Sequence, residues 1–453
     1  MKNDIETRVI SKITYRLIPF LCLLFFVAFL DRVNVGFAAL HMNKDLGLSA
    51  TAFGVGAGLF FVGYFFFEVP SNVLLQKYGA RITFGRVMIL WGIVSGCFAF
   101  VQTETQFFVL RFLLGAAEAG FLPGVIYYFT IWLPAAHRAR LIGLFVMMIP
   151  ASTVVGAPLS TWIIQATDGW FGHAGWQWMF VLEAVPAVVL GVLVFYVLPN
   201  RPREVKWLSA EEKAWLEGAI SREHSVKAQH LPAGWAKALL NRRTGKILVV
   251  YSSIVFAIYA VGFWIPQIVK GFGMTVMQTG LVTAIPYLLA CICMVLWARH
   301  SDRTRERVWH VALPSWFGAL SFVVAYLNLD NPTIAMIALS GCMIGIFCAL
   351  PPYWTYPTLF FSGPAAAVGI AAVNSIGNLA GYVGPSAVGW LKDLTGHFGH
   401  GLLLTGAVLT VGGIAAMALR RDFRLEQLAT GAASPEPVGA RHDLGAPRRA
   451  ETV

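Results

Sequence analysis

The chain has 453 residues, 57% of them hydrophobic and 13% charged, with a formal net charge of +11. A soluble chain of this size needs far more polar side chains to cover its surface, so the composition excludes a water-solvated globular enzyme and points to a bilayer as solvent. The Lys and Arg residues lie between apolar segments and form no stripe interleaved with aromatics, which speaks against nucleic acid as a partner.

A charged stretch, Met1 to Arg16, leads into the first apolar run; no small-residue cleavage site follows, so that run reads as a retained helix. That run is the first of six spans in the first half: Leu17 to Ala39, Ala52 to Leu75, Val87 to Val101, Phe107 to Trp132, Leu141 to Ile164 and Trp178 to Leu198. Each is close to the ~20 residues that cross ~30 Å of hydrocarbon as a helix. A polar stretch from Pro199 to Lys246 carries ten Lys or Arg. Within it, Ser209 to Ile220 has the pattern of a short amphipathic helix, with Ser209 as N-cap and Glu212 at the third position. The second half holds six more spans: Ile247 to Val269, Thr279 to Ala298, Val308 to Leu327, Thr333 to Trp354, Ala365 to Leu391 and Leu402 to Leu419. The tail is rich in Ala, Gly, Pro and charge and is expected to be disordered. The expectation is an all-α membrane protein of twelve transmembrane helices in two six-helix bundles, 1–198 and 247–421. A central loop, 199–246, joins them, and a tail, 422–453, follows.

Positive charge alternates between loops. Lys77, Arg81 and Arg86, then Arg138 and Arg140, the central stretch, and Arg299, Arg303, Arg305 and Arg307 fall on one side, against Lys44, Lys270 and Lys392 on the other. The positive side is expected to be cytoplasmic, with both termini on it. The six cysteines lie in apolar stretches and read as packing residues, with no metal set among them. An internal repeat supports two halves. Gly156, Trp162 and Thr167 recur at the same spacing as Gly384, Trp390 and Thr395, with Phe171-Gly172-His173 after the first set and Phe398-Gly399-His400 after the second.

Ionisable groups inside apolar spans are costly and mark function. Asp31 and Arg32 stand in the first span, Glu68 in the second, and Arg111 and Glu118 in the fourth. Arg111 and Glu118 are seven apart, on one helix face, among the small residues Gly115, Ala116, Ala117, Ala119 and Gly120. Asp31 and Glu118 are the candidate proton carriers, since burial and a nearby guanidinium pull a carboxyl in opposite directions. The alternative is a pair of structural ion pairs. Arg32 and Arg111 are candidates for holding a carboxylate through two hydrogen bonds, the alternative for Arg111 being a helix-packing role near the outer end. Glu68, just before Pro70-Ser71-Asn72, reads as structural or gating, and Glu183 as interfacial. In the second half Asn374 and Asn378 share a helix face; with Tyr353, Trp354 and Tyr64 they are candidate cavity groups, or alternatively helix-packing and interfacial ones.

The loop Ala298-Arg299-His300-Ser301-Asp302-Arg303-Thr304-Arg305-Glu306-Arg307 resembles the loop motif of the major facilitator superfamily. Its counterpart, Gln76-Lys77-Tyr78-Gly79-Ala80-Arg81, keeps the glycine and basic residues but has Gln76 where that superfamily usually has Asp. Asp302, Arg303, Gly79 and Arg81 are the gating residues the resemblance implies. More narrowly, Phe29-Leu30-Asp31-Arg32-Val33-Asn34, the run Arg111 to Gly124, Trp309-His310-Val311-Ala312 and Asn374-Ser375-Ile376-Gly377-Asn378 are similar to the anion:cation symporter family. That likeness implies uptake of an organic anion, such as tartrate, phthalate, hydroxyphenylacetate or nicotinate, with protons on Asp31 and Glu118 and the anion on Arg32 and Arg111. Met147-Met148-Ile149-Pro150-Ala151 stands where the sugar-acid branch often has an amide, which leans toward a smaller or aromatic carboxylate. The implied protein is a transporter and not an enzyme, monomeric, in a bacterial inner membrane, with no cofactor. Its rival is a proton-driven exporter of drugs or amphiphiles.

Overall fold

The computed structural model describes residues 2–228, 241–360 and 372–423. The expected tail beyond 423, part of the central loop and the start of the eleventh span lie outside the described residues. Helices are α1 (Lys2–Asp45), α2 (Ala50–Cys97), α3 (Glu104–Glu118), α4 (Phe121–Trp132), α5 (Ala135–Val146), α6 (Met148–Ala166), α7 (Gly175–Val197) and α8 (Ala210–Ala228). They continue as α9 (Arg242–Gly262), α10 (Ile265–Gly271), α11 (Val276–Thr304), α12 (Val308–Leu327), α13 (Pro332–Tyr353), α14 (Thr355–Phe360), α15 (Ala380–Thr395) and α16 (Gly399–Ala418). Residues 372–378 are also helical and lead into α15.

Among the described residues, ten helical segments are long and apolar enough to cross a bilayer. One of them, Ala50–Phe100, breaks at Gly79 and makes two crossings, while 372–378 with α15 supplies a further limb. The twelve-helix, all-α architecture follows. Gly79 sits at φ 81°, where a side chain is strained, and a Cβ there would also strike Asn200 at 2.6 Å. Asn200 meanwhile accepts from Arg81 N at 2.9 Å, so the turn is held from both sides.

The helices differ from the expected spans where the backbone breaks. The fourth span divides into α3 and α4, the fifth into α5 and α6, and the seventh into α9 and α10. The charged leader is helical and continuous with α1. The amphipathic helix is present as α8, with a reciprocal cap: Glu212 N donates to Ser209 Oγ at 3.2 Å, and Ser209 N to Glu212 Oε2 at 2.9 Å. Lys12 Nζ reaches Glu212 at 2.8 Å and so docks α8 on the leader.

Water-like exposure in this fold is exposure to lipid. On α11, Leu281, Ile285, Leu288, Ile292 and Leu296 form an exposed apolar stripe at helical spacing, which only hydrocarbon satisfies. All six cysteines are free thiols. The repeat is visible in space. Trp162 and Trp390 are both exposed, at 57% and 56%. Thr167 and Thr395 each return a hydroxyl to the carbonyl four residues back, at 2.8 and 2.7 Å. Gly156 faces Leu30 of α1, and Gly384 faces Phe256 of α9.

Among the described residues the halves meet chiefly through α2 with α15 and α6 with α11, and also through α1 with α10. Glycines set their closeness at the end of the bundle that bears Ser49. A Cβ on Gly54 would stand 2.9 Å from the Pro385 carbonyl carbon, and one on Gly280 would stand 2.6 Å from Ala157 O. Asp393, beyond the end of the eleventh span, caps α2 across this seam, accepting from Ala50 N at 3.1 Å and Thr51 N at 2.7 Å. Burial raises its pKa, but the hydrogen bonds from Thr51 and Ala50 outweigh that and hold it below the usual carboxylate range. A depressed folded pKa contributes stability above the unfolded value of ~3.9 that is lost as pH falls through the folded value. Asp393→Asn is therefore expected to lower the melting temperature of the purified protein at neutral pH, by the equivalent of about 0.5–1 kcal/mol. That difference from wild type should vanish in strongly acid solution.

Candidate functional site

Two of the helix breaks, α3 to α4 and α5 to α6, border one cavity, which Glu118, Leu122, Val146 and Ile149 line. α3 ends at Glu118, and α4 begins after Gly120, which is left-handed at φ 82° with Ser71 Oγ 2.7 Å from where a Cβ would be. That break aims the Glu118 side chain between the halves. α1 brings Arg32 to the same point. The cavity, about 50 Å³, is lined among others by Phe29, Arg32, Phe60, Tyr64, Glu118 and Tyr259. That is room for a few waters, since one water needs roughly 10–15 Å³. The glycine-mediated contacts of α2 with α15 and of α6 with α11 lie toward the Ser49 end of the bundle.

At its centre is an ion pair: Arg32 Nη2 donates to Glu118 Oε1. Arg32 is 8% exposed and Glu118 2%. Arg32 Nη1 donates to Tyr259 Oη at 2.9 Å. Its guanidinium carbon lies 4.4 Å from the Phe29 ring centroid and 4.7 Å from that of Phe60. Aromatic faces suit a desolvated guanidinium, worth ~2 kcal/mol when water is excluded. Arg32 Nε is buried with no hydrogen-bond partner among the described residues. The Nε–H is therefore a donor to spare, in addition to the second hydrogens of Nη1 and Nη2.

The other candidates divide. Tyr64, Trp354 and Asn378 line the cavity with Arg32 and Glu118. Arg111, Tyr353 and Asn374 do not. Arg111 is 1% exposed and turns to the backbone, donating through Nη2 to Ala57 O at 2.8 Å. It joins α3 to α2, although it shares α3 with Glu118. Tyr353 stacks on Tyr251 with ring centroids 5.1 Å apart. Asn374 accepts from Tyr251 Oη at 2.9 Å and donates to Glu68 Oε1 at 3.0 Å, while Ser375 donates to Glu68 Oε2. Glu68 thereby ties α2 to residues 372–378.

Asp31 faces away from Arg32 and from the cavity. It accepts from Trp91 Nε1 at 2.5 Å, Ser95 Oγ at 3.3 Å and Asn34 Nδ2 at 3.4 Å. Glu183, read from sequence as interfacial, is 3% exposed on α7 and belongs to this same polar group. At the gating positions, Arg81 Nε donates to Leu198 O at 2.9 Å, and Asp302 pairs with Arg307 at 2.7 Å; Arg303 is exposed. Sequence reasoning passed over Tyr251 and Tyr259. Their spacing of eight on α9, two turns and one face, was the available signal.

Arg111→Met removes the donor to a buried carbonyl. The expected result is a loss of about 1–3 kcal/mol of stability, read from unfolding of the purified protein.

Residues 21–385 match the Major Facilitator Superfamily. A protein of Agrobacterium vitis named as a tartrate transporter is 51% identical over 421 residues, covering 93% of this chain and 96% of its own length. A quinolone resistance transporter of Acinetobacter baumannii is 40% identical over 411 residues, covering 90% of this chain and 94% of its own. Among solved structures, a D-xylose-proton symporter superposes with a TM-score of 0.70 over 90% of this chain and 97% of its own at 15% identity, a likeness of fold. Sequence match, helix count and buried charge agree: the chain belongs to the Major Facilitator Superfamily and is a multi-pass membrane transporter, not an enzyme.

Proposed function

We propose that the protein imports a small organic anion, a carboxylate of the tartrate or aromatic-acid kind, by proton symport across a bacterial inner membrane. The observation that carries this reading is the Arg32–Glu118 pair in the cavity wall. A buried guanidinium needs a counter-charge, and Glu118 is that charge when no substrate is bound. An entering carboxylate competes for the same donors, with Arg32 Nε still free to receive it. Two carboxylates on one guanidinium repel, so binding favours protonation of Glu118, and a proton on Glu118 releases Arg32 to the substrate. Anion and proton then occupy the site together. Tyr64, Trp354 and Asn378 supply the remaining contacts, and Arg111 sets the spacing of α3 and α2 behind the site. Asp31 is a second candidate proton group.

The two bundles then rock about the cavity, the glycine contacts parting at the Ser49 end, which the positive-inside pattern places outside. Direction follows from charge. Each net charge moved against the potential costs ~2.3 kcal/mol per 100 mV, so an anion enters an inside-negative cell only with at least as many protons as it has charges. The relative named for tartrate supports the substrate class. The relative named for quinolone resistance supports a second reading, proton-driven export of an aromatic amphiphile, which the phenylalanine-lined wall would also accept.

Proteoliposomes loaded at neutral pH and diluted into acid buffer distinguish these. Wild type should accumulate labelled tartrate or hydroxyphenylacetate. Glu118→Gln should still exchange the anion but fail to concentrate it. Arg32→Gln should lose ~30-fold or more in uptake, the cost of removing one partner of a buried charge pair being at least about 2 kcal/mol. Gradient-driven movement of a fluoroquinolone but of neither acid would favour export.

A further inference from the structure

We propose that Glu183, joined to Asp31 through the Asn34 amide, is a proton-binding site separate from the anion cavity. This rests on the symport reading for its role but not for its chemistry. Glu183 lies on α7, where the sequence offers no partner for it. Its Oε1 accepts from Ser160 Oγ at 2.7 Å, and its Oε2 accepts from Asn34 Nδ2 at 3.0 Å. The same Asn34 nitrogen donates to Asp31 Oδ1 at 3.4 Å. Four helical segments, α1, the second limb of α2, α6 and α7, thus enclose two carboxyls bridged by one neutral amide.

Among the described residues the hydrogen-bond donors to this pair are neutral: Trp91, Ser95, Asn34 and Ser160. The other charged group facing Asp31 is Glu118 of α3, an acid whose own partner is Arg32. Arg32 itself points to Glu118 and Tyr259. Two carboxylates whose hydrogen-bond donors are neutral, one of them also facing the acid Glu118, do not both stay ionised in a membrane interior, and they titrate as a pair. Asn34 Oδ1 is buried with no donor among the described residues, so the amide has an acceptor left for a proton carried on either acid. None of Asp31, Asn34 and Glu183 lines the cavity.

The arrangement couples the two places mechanically. Asp31 and Arg32 are consecutive on α1, one facing the acid pair and the other the cavity. A change in the acid pair that turns α1 by a fraction of a residue moves Arg32 against Glu118.

The test is infrared difference spectroscopy of the purified full chain reconstituted in lipid, titrated from acid to alkaline pH. Wild type should show a protonated-carboxyl C=O band that disappears as pH rises. Glu183→Gln, which keeps the shape and the acceptor oxygen, should lose part of that band and move the titration of the remainder. Asn34→Ala, which keeps both acids and unlinks them, should shift the band without removing it. A wild-type band and titration unchanged in Glu183→Gln overturns the proposal, as does a Glu183 band that never titrates. Tartrate transport by the same samples separates this from the symport reading. Wild type that never accumulates tartrate under a proton gradient defeats symport of that acid, whatever the spectra show. Accumulation that Glu183→Gln loses, with exchange retained, places the coupled proton on this pair, and full accumulation in that variant removes it from the pair.

Discussion

A guanidinium held out of water in a membrane interior needs a counter-charge or hydrogen-bond acceptors and aromatic faces in its place, and the cavity of this structure is built around that demand at Arg32. Arg32 meets it with Glu118. Glu118 is available because the fourth span is not one helix. Gly120 takes a left-handed conformation that ends α3 at the acid and restarts the chain as α4. Tyr259 arrives from the other half of the molecule on α9, so the cation is bonded to both halves at once. Substitution by a neutral partner would leave one of these charges buried alone, the costly outcome for any ion pair in low dielectric. Under the proposed symport, that cost is what would make the site responsive, a substrate carboxylate or a proton changing which partner Arg32 needs.

The contacts between halves are of a different kind. They are glycine-based and close, with α2 against α15 and α6 against α11. Lipid tails are as apolar as leucine, so helices in a membrane gain little from burying apolar area and associate through tight packing and a few hydrogen bonds. Such a seam can part without exposing a hydrophobic core to water. Polar links between the halves among the described residues include Asp393 on the α2 N-terminus, Ser386 on the Gly54 carbonyl, Arg32 with Tyr259, and Glu68 with Asn374 and Ser375. The repeat explains why these pairs resemble each other, since α6 and α15 occupy matching places, each with a glycine against the first helix of its half and an outward tryptophan.

The amino-acid sequence by itself determined the membrane, the helices and the identity of the charged residues, because each follows from local composition: a span of apolar residues must be helical in lipid, and a charge within it must be paired or functional. The cap at Ser209 and the repeated Gly-Trp-Thr spacing were legible for the same reason, since both are short-range patterns. What only the tertiary structure decided was who pairs with whom. Arg111 and Glu118 share a helix face, yet Arg111 bonds a backbone carbonyl and Glu118 takes Arg32, 86 positions away in the chain. Asp31 and Arg32, adjacent in sequence, serve different compartments. Glu183 read as interfacial and is buried. Partner choice in a low-dielectric interior depends on distances of a few ångströms between helices remote in sequence, and on backbone breaks such as Gly120 that re-aim a side chain, and no local pattern encodes either.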